Sequence, residues 1–374
     1  MKIKRHGAAL GLVAAGALLL TACGSDNNTS NGSSSSGSSS APAAAVDCGG
    51  KPKLAAEGSS AQQGAMDVFI QAYKAKCTSQ DLAYNPTGSG AGVKQFNAGQ
   101  VDFGGSDSAL DATKGEVDAA AKRCQSNPAW NLPMVFGPIA VSYKLSNVDG
   151  LTLDAPAIAK IFNGGITNWN DPAIAKLNSG KTLPDKKIAV IYRSDDAGTT
   201  DNFQKYLTTA SKGAWTQGVG KKFVGGVGEG KEKSAGVSQA VASVDGAITY
   251  AEWSYAQNNK LSIAKIDTGA GGVELTSDTV GKAIDGAKIK GTGNDLVLDL
   301  NSIYGSTTAG AYPLVLATYE LVCSKGLDAD TTKAVKAFLT VAATDGQAGL
   351  KDAGYAPLPK AFQDKLLTAI KAIA

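Results

Sequence analysis

The first part of the chain separates by polarity. Lys2, Lys4 and Arg5 precede an unbroken apolar run from about Ala8 to Leu20, shorter than the ~20 residues a membrane-spanning helix needs. The pattern predicts an export signal over residues 1–22. Residues 24–46 are mostly Ser, Gly, Asn and Ala, with Asp26 as their one charge. Such a segment cannot bury enough surface to offset its ordering entropy. It predicts a disordered tether over 23–46, with an r.m.s. span of roughly 25 Å.

Beyond the tether, short apolar runs alternate with apolar stripes at helical spacing. Leu54-Ala55-Ala56 reads as a strand, and Met66, Phe69, Ile70, Tyr73 and Cys77 recur at three- and four-residue steps, as on one face of a helix. Ser60 with Gln63 reads as a capping box at its start. A second unit runs from the strand Ile188–Tyr192 through Arg193–Thr200 to a helix carrying Phe203, Tyr206 and Leu207 on one face. This alternation predicts an α/β fold. Roughly 330 residues are long for one core and suit two domains. Two apolar segments, Phe136–Leu145 and Tyr312–Val322, read as crossovers between them. Domain I is then discontinuous, 48–137 plus 313–374, and domain II is 138–312. No internal repeat is visible.

Composition changes when the signal is removed. The formal net charge of +3 falls to zero, because the signal holds three basic residues and no acidic one, and the single histidine, His6, leaves with it. Nothing then points to nucleic acid. Leu20-Thr21-Ala22-Cys23 resembles a bacterial lipobox, which implies lipidation (palmitate or a related acyl chain) of Cys23 and anchorage in the cell membrane on its extracytoplasmic face. Four cysteines remain: Cys48, Cys77, Cys124 and Cys323. An even number in an exported chain predicts two disulfides, with three possible pairings. The domain plan favours Cys48–Cys77 and Cys124–Cys323. Their spacing fits no compact zinc pattern, and no metal or cofactor is expected.

Three glycine- and hydroxyl-rich turns stand out: Gly58-Ser59-Ser60-Ala61, Thr87-Gly88-Ser89-Gly90-Ala91-Gly92 and Asp196-Ala197-Gly198-Thr199-Thr200. A helix N-terminus presents unpaired N–H groups and the positive end of a dipole, so it seats an anion. Glycine lets the backbone approach closely, and Ser or Thr adds a hydroxyl donor. Three such turns together with Arg193 and Asp107 predict an oxyanion site. Gly225–Glu232 nearly spells a phosphate-binding P-loop, but Glu232 stands where a Ser or Thr should hold magnesium. It reads as a flexible loop. Asn163–Pro172 reads as a helix exit and turn, and the four tryptophans as packing residues.

The strings TGSGAGVKQF (87–96), VDFGGSDSAL (101–110), IFNGGITNWNDPAIAKLN (161–178), IYRSDDAGTTDNF (191–203) and GAITYAEWSYA (246–256) resemble those of the phosphate-binding proteins of Pst-type ABC importers. The likeness runs from about residue 53 to the C-terminus. It implies a two-lobed type II periplasmic-binding-protein fold with two hinge crossover strands, closing over a buried ligand. Carried over by position, the ligand contacts are Ser60, Ala61 (through its N–H), Ser89, Asp107, Arg193, Ala197, Gly198 and Thr199, with Asp195 orienting Arg193. The implied partners are inorganic phosphate, the membrane permease subunits of the importer and, through Cys23, the lipid bilayer. A monomer is expected. Ala197 departs from the family, which usually has serine there. The lost hydroxyl bond to a charged group corresponds to about 1.5–3 kcal/mol, and Thr200 or water is the expected substitute.

The chemistry agrees with that likeness. An acidic residue in an anion site makes sense if Asp107 accepts a hydrogen bond from a proton on the ligand. Phosphate at neutral pH carries one and sulfate does not, so a buried carboxylate facing sulfate is left repelled and unpaired. The rival class is an extracytoplasmic phosphatase or esterase using Ser60, Ser89 or Thr199 as nucleophile. It lacks a histidine base after export and a G-x-S-x-G elbow around Ser89. A ligand-free adhesin would not need Arg193, Asp195 and Asp107. The chain is expected to bind and not to catalyse.

Overall fold

Strand Lys53–Gly58 (β1) buries alternate residues, Leu54, Ala56 and Gly58, and forms parallel ladders with Asp81–Asn85 (β2) on one side and Phe103–Ser106 (β3) on the other. These belong to a computed structural model that describes residues 46–374. The predicted signal, Cys23 and the tether lie outside the described residues, apart from the tether's last residue. The remaining strands of this sheet are Ala129–Tyr143 (β4), Ala189–Arg193 (β5), Glu229–Lys231 (β6), Ala247–Glu252 (β7), Ser262–Ile263 (β8) and Val315–Cys323 (β9). Their order is β2-β1-β3-β9-β4-β7-β5-β6, with β8 also paired to β4.

Strand β4 is the centre of the architecture. From Ala129 to Pro138 it pairs antiparallel with β9, and from Ile139 onward it pairs with β7 instead. The change of partner falls between Pro138 and Ile139, opposite Leu314 and Val315, where the Ile139 N–H donates to the Leu314 carbonyl at 2.9 Å. The first predicted crossover, Phe136–Leu145, lies in β4 as far as Tyr143, where that strand ends. The second covers the buried approach Tyr312–Leu314 and most of β9. Proline at 133 cannot donate to the ladder, and the β4–β9 register shifts beside it, between Thr318 and Tyr319.

Helix α1 (Gln63–Lys76) buries Met66, Phe69 and Tyr73 of the predicted stripe, while Ile70 is half-buried and Cys77 caps the helix end. Its capping box is not formed: the helix starts after Gln62 without a side-chain cap, and the Ser60 hydroxyl turns to another partner. The further helices that matter here are α2 (Ser89–Asn97), α3 (Gly198–Ala210) and α4 (Lys233–Ser243). Phe203, Tyr206 and Leu207 of α3 are buried. The Gly225–Glu232 segment is not all loop. Its Glu229–Lys231 is strand β6, parallel to β5, and it delivers the chain into α4.

Both disulfides take the favoured pairing, Cys48–Cys77 and Cys124–Cys323. The second closes a separation of 199 residues and ties the end of β9 to the helix preceding Cys124. Each such closure contributes about 2–5 kcal/mol by restricting the unfolded chain. No helix among the described residues is long and apolar enough to cross a membrane.

Candidate functional site

The three turns meet. The turns follow β1, which ends at Gly58, β2, which ends at Asn85, and β5, which ends at Arg193, while β3 ends at Ser106 and delivers Asp107 to the same place. Ser60, Ser89, Asp107, Arg193, Ala197 and Thr199 are all buried there. Residues on the two sides touch directly. The Gly90 N–H donates to the Asp196 carbonyl at 2.9 Å, the Tyr255 hydroxyl to the Ser60 carbonyl at 3.1 Å, and Asn202 Nδ2 to the Asp107 carbonyl at 2.6 Å.

Arg193 is held as a fork. Its Nε donates to Asp195 Oδ1 at 2.7 Å and its Nη2 to Oδ2 at 2.6 Å, leaving Nη1 turned toward Ser234 Oγ (3.0 Å) and Thr199 Oγ1 (3.4 Å). Burial works against the guanidinium charge, and the adjacent Asp195 carboxylate more than restores it, so its pKa lies above the ordinary value. Burial likewise opposes ionised Asp195, and the hydrogen bonds and charge of Arg193 outweigh it, holding that carboxyl low. The pair stays ionised and geometrically fixed. Asp195 also accepts the Lys233 N–H at 2.9 Å, tying the start of α4 to the same carboxylate. Gly88 has φ +108°, and a Cβ there would lie 2.8 Å from Asp195 Oδ2. Only glycine lets that turn pass.

Asp107 faces a different set of donors. Its Oδ1 accepts from Ser59 Oγ at 2.5 Å and Thr318 Oγ1 at 2.7 Å, while Oδ2 accepts only from Ser89 Oγ, at 3.0 Å. Oδ2 is the oxygen facing the first turn of α3: a Cβ added to Gly198 would sit 2.8 Å from it and 2.6 Å from Ser89 Oγ. Glycine at 198 therefore sets how closely the α3 N-terminus approaches the carboxylate. Burial pushes the Asp107 carboxyl up to about 6, with the Ser59 bond opposing and the nearby Glu252 charge adding to the rise.

Two of the expected contacts look different in place. The Ala197 N–H donates to the Lys221 carbonyl at 2.9 Å, and the Ala61 N–H to Ser59 Oγ at 3.0 Å. Both donors are occupied by the protein itself, and Ala197 has no polar side-chain atom to offer instead. Thr200, the expected substitute, shares its hydroxyl with Tyr250 at 2.8 Å. Thr199 Oγ1 donates to Glu252 Oε1 at 2.5 Å, so its hydroxyl proton is committed too. Gly198 and Thr199, as the first residues of α3, retain N–H groups without intrahelical partners.

Sequence reading missed Ser59, Thr318, Ser234, Glu252 and Asn202. Thr318 is 211 residues from Asp107 and Ser234 is 174 from Ser60. Ser59, Asn202 and Glu252 lay inside motifs already singled out and Thr318 inside the second crossover, so only Ser234 stood outside every such segment.

A two-lobed α/β body with a buried cluster of glycine- and hydroxyl-rich turns around Arg193 and Asp107 has the architecture of a solute-binding protein. A family model described as a PBP superfamily domain matches residues 29–345. Phosphate-binding protein PstS 3 of Mycobacterium tuberculosis is 54% identical over 376 residues, covering all of both chains. Phosphate-binding protein PstS 2 of the same organism is 53% identical, also over the whole of both. A high-affinity periplasmic phosphate-binding protein, PfluDING, solved with phosphate bound, superposes with a TM-score of 0.69 over 84% of this chain and 93% of its own, at 22% identity. That last likeness speaks for the fold. The chain belongs to the PBP superfamily and, within it, to the PstS phosphate-binding proteins.

Proposed function

We propose that this protein captures inorganic phosphate outside the cytoplasm, buries it between its lobes with high affinity, and delivers it to the membrane permease of an ABC importer. The lobes are 48–137 with 313–374, and 138–312, hinged where β4 changes partner. The observation that carries the reading is the pairing of opposite devices across one crevice. A guanidinium locked by Asp195 presents its Nη1 edge, and Asp107 turns its less-saturated oxygen toward the α3 N-terminus. The first neutralises an oxyanion. The second requires that the oxyanion carry a proton. Ser60, the N–H groups of Gly198 and Thr199, and Ser89 once its hydroxyl turns from Asp107 to the ligand complete the donor set. Cys23, acylated after removal of the signal, anchors the protein to the membrane, and the tether lets the binding body range over the permease as a monomer.

Isothermal titration of the purified protein, without the signal, should show one phosphate per chain in the presence of excess sulfate. Absence of heat at millimolar phosphate overturns the reading. Replacing Asp107 by asparagine should weaken phosphate and narrow the phosphate-to-sulfate affinity ratio at least about tenfold. The neutral amide no longer repels a proton-free oxygen, which removes a penalty of roughly 1–3 kcal/mol. An unchanged ratio would dismiss Asp107 as the selecting group.

A further inference from the structure

Ala197 offers no hydroxyl, and a serine outside the expected contacts lies against two of them. Ser234 is fully buried in the first turn of α4, and the segment Glu229–Lys231 that leads to it is anchored as a strand against β5, which carries Arg193. Its Oγ lies 3.1 Å from Ser60 Oγ and accepts from Arg193 Nη1 at 3.0 Å. Those are two of the groups assigned to the oxyanion, one from each side of the crevice. The Ser234 N–H also points at Ser60 Oγ, at 3.4 Å.

We propose that Ser234 is a direct phosphate contact that supplies the hydroxyl donor absent at position 197. The inference rests on the phosphate-binding function above and adds a residue to that site. The hydrogen count favours it. The Thr199 hydroxyl proton goes to Glu252, the Thr200 hydroxyl is shared with Tyr250, and the Ser59 and Ser89 hydroxyls go to Asp107. The Ser60–Ser234 pair holds two hydroxyl protons and only one contact between its oxygens. At least one proton is therefore available to an anion at no cost to another bond, and rotation of both hydroxyls toward a phosphate oxygen exchanges their mutual contact for two charge-assisted ones. The acceptor lone pairs of Ser234 stay on Arg193, which keeps donor and guanidinium in fixed relation. The first N–H groups of α4 add the positive end of a second helix dipole on this side.

The test is calorimetric titration with inorganic phosphate of the parent protein, Ser234→Ala, and Ala197→Ser combined with Ser234→Ala. Ser234→Ala should weaken phosphate about tenfold to a hundredfold, the range for one hydrogen bond to a charged group, with its ligand-free melting temperature within a few degrees of the parent. The double variant should recover most of that loss, because a serine at 197 restores a hydroxyl to the anion. An affinity within twofold of the parent for Ser234→Ala overturns the inference. So does failure of the double variant to recover, since it would mean that Ser234 only braces Arg193. A parent that binds no phosphate instead overturns the function on which this rests.

Discussion

Replacing Arg193 by alanine should lower phosphate affinity by at least about a thousandfold, enough to remove binding at micromolar ligand. Truncating one partner of a buried, hydrogen-bonded charge pair costs about 2–5 kcal/mol or more, and here two losses coincide. The anion loses its one cationic partner, and Asp195 is left beside it as a half-buried, uncompensated negative charge. Asp107 and Glu252 are already in the same crevice. With Arg193 gone, a dianion would enter a site holding three carboxylates and no cation. Arg193→Lys should fall between, because an ammonium preserves charge but cannot fork onto Asp195 through two parallel bonds. Titration of both variants checks the order. An alanine variant within tenfold of the parent would remove Arg193 from the site.

The second large effect concerns stability and a carboxyl that does not touch the ligand. Glu320 lies on β9, completely buried, with both carboxyl oxygens lacking a hydrogen-bond partner, and the Gln62 Oε1 beside it is equally unpaired. Burial pushes the Glu320 carboxyl up to about 8, opposed by Gln62 and assisted by the charge of Asp107. The unfolded chain titrates this group at its ordinary value of 4.5, so between about pH 4.5 and 8 the native state binds the extra proton. Stability from this group is greatest at the acid end of that window and is lost as pH rises to about 8, by on the order of 4 kcal/mol. Asp107, raised to about 6, adds a smaller loss of the same sign over a lower range. Glu320→Gln cannot ionise. Urea unfolding without ligand should find it close to the parent near pH 5 and clearly more stable at pH 8. Parallel curves across that range would contradict a protonated Glu320.

Glu320 also bears on the site. The Gln62 amide donates to the Tyr84 hydroxyl at 3.0 Å, that hydroxyl donates to the Ser59 carbonyl at 2.7 Å, and Ser59 Oγ donates to Asp107. A neutral Glu320 spares Asp107 a second buried negative charge at the pH where it must be ionised to accept the ligand's proton. One carboxyl held neutral and one held charged, within the same packed region, is how a fold assigns different roles to like groups.

Much of the site was legible because its recognition elements are local. A strand ending in Gly-Ser-Ser, or Arg-Ser-Asp-Asp-Ala-Gly-Thr opening a helix, states its own geometry. The N–H groups of a first turn are unpaired wherever a helix begins, and glycine marks where the backbone must come close. The Arg193–Asp195 fork spans two residues and needs no tertiary information to be suspected. Secondary elements with strong periodicity, such as Met66-Phe69-Tyr73, were legible for the same reason.

What the sequence by itself determined, then, is the family and the elements that carry its motifs: three glycine- and hydroxyl-rich turns, an arginine two residues from its carboxylate partner, and four cysteines that pair as two disulfides. The tertiary structure decided where the hydroxyl protons go. Asp107 takes them from Ser59, Ser89 and Thr318, and Ala197 spends its N–H on Lys221. Ser234 reaches Ser60 and Arg193 from the first turn of α4, just past a segment that reads as a loop but folds in part as strand β6. Each hydroxyl carries one proton to give, and the acceptor that takes it lies 211 residues away in the case of Thr318 and Asp107. Local pattern cannot say which donor is already taken. Only packing the two lobes together assigns each proton to one acceptor, and that assignment moves the missing donor from position 197 to Ser234.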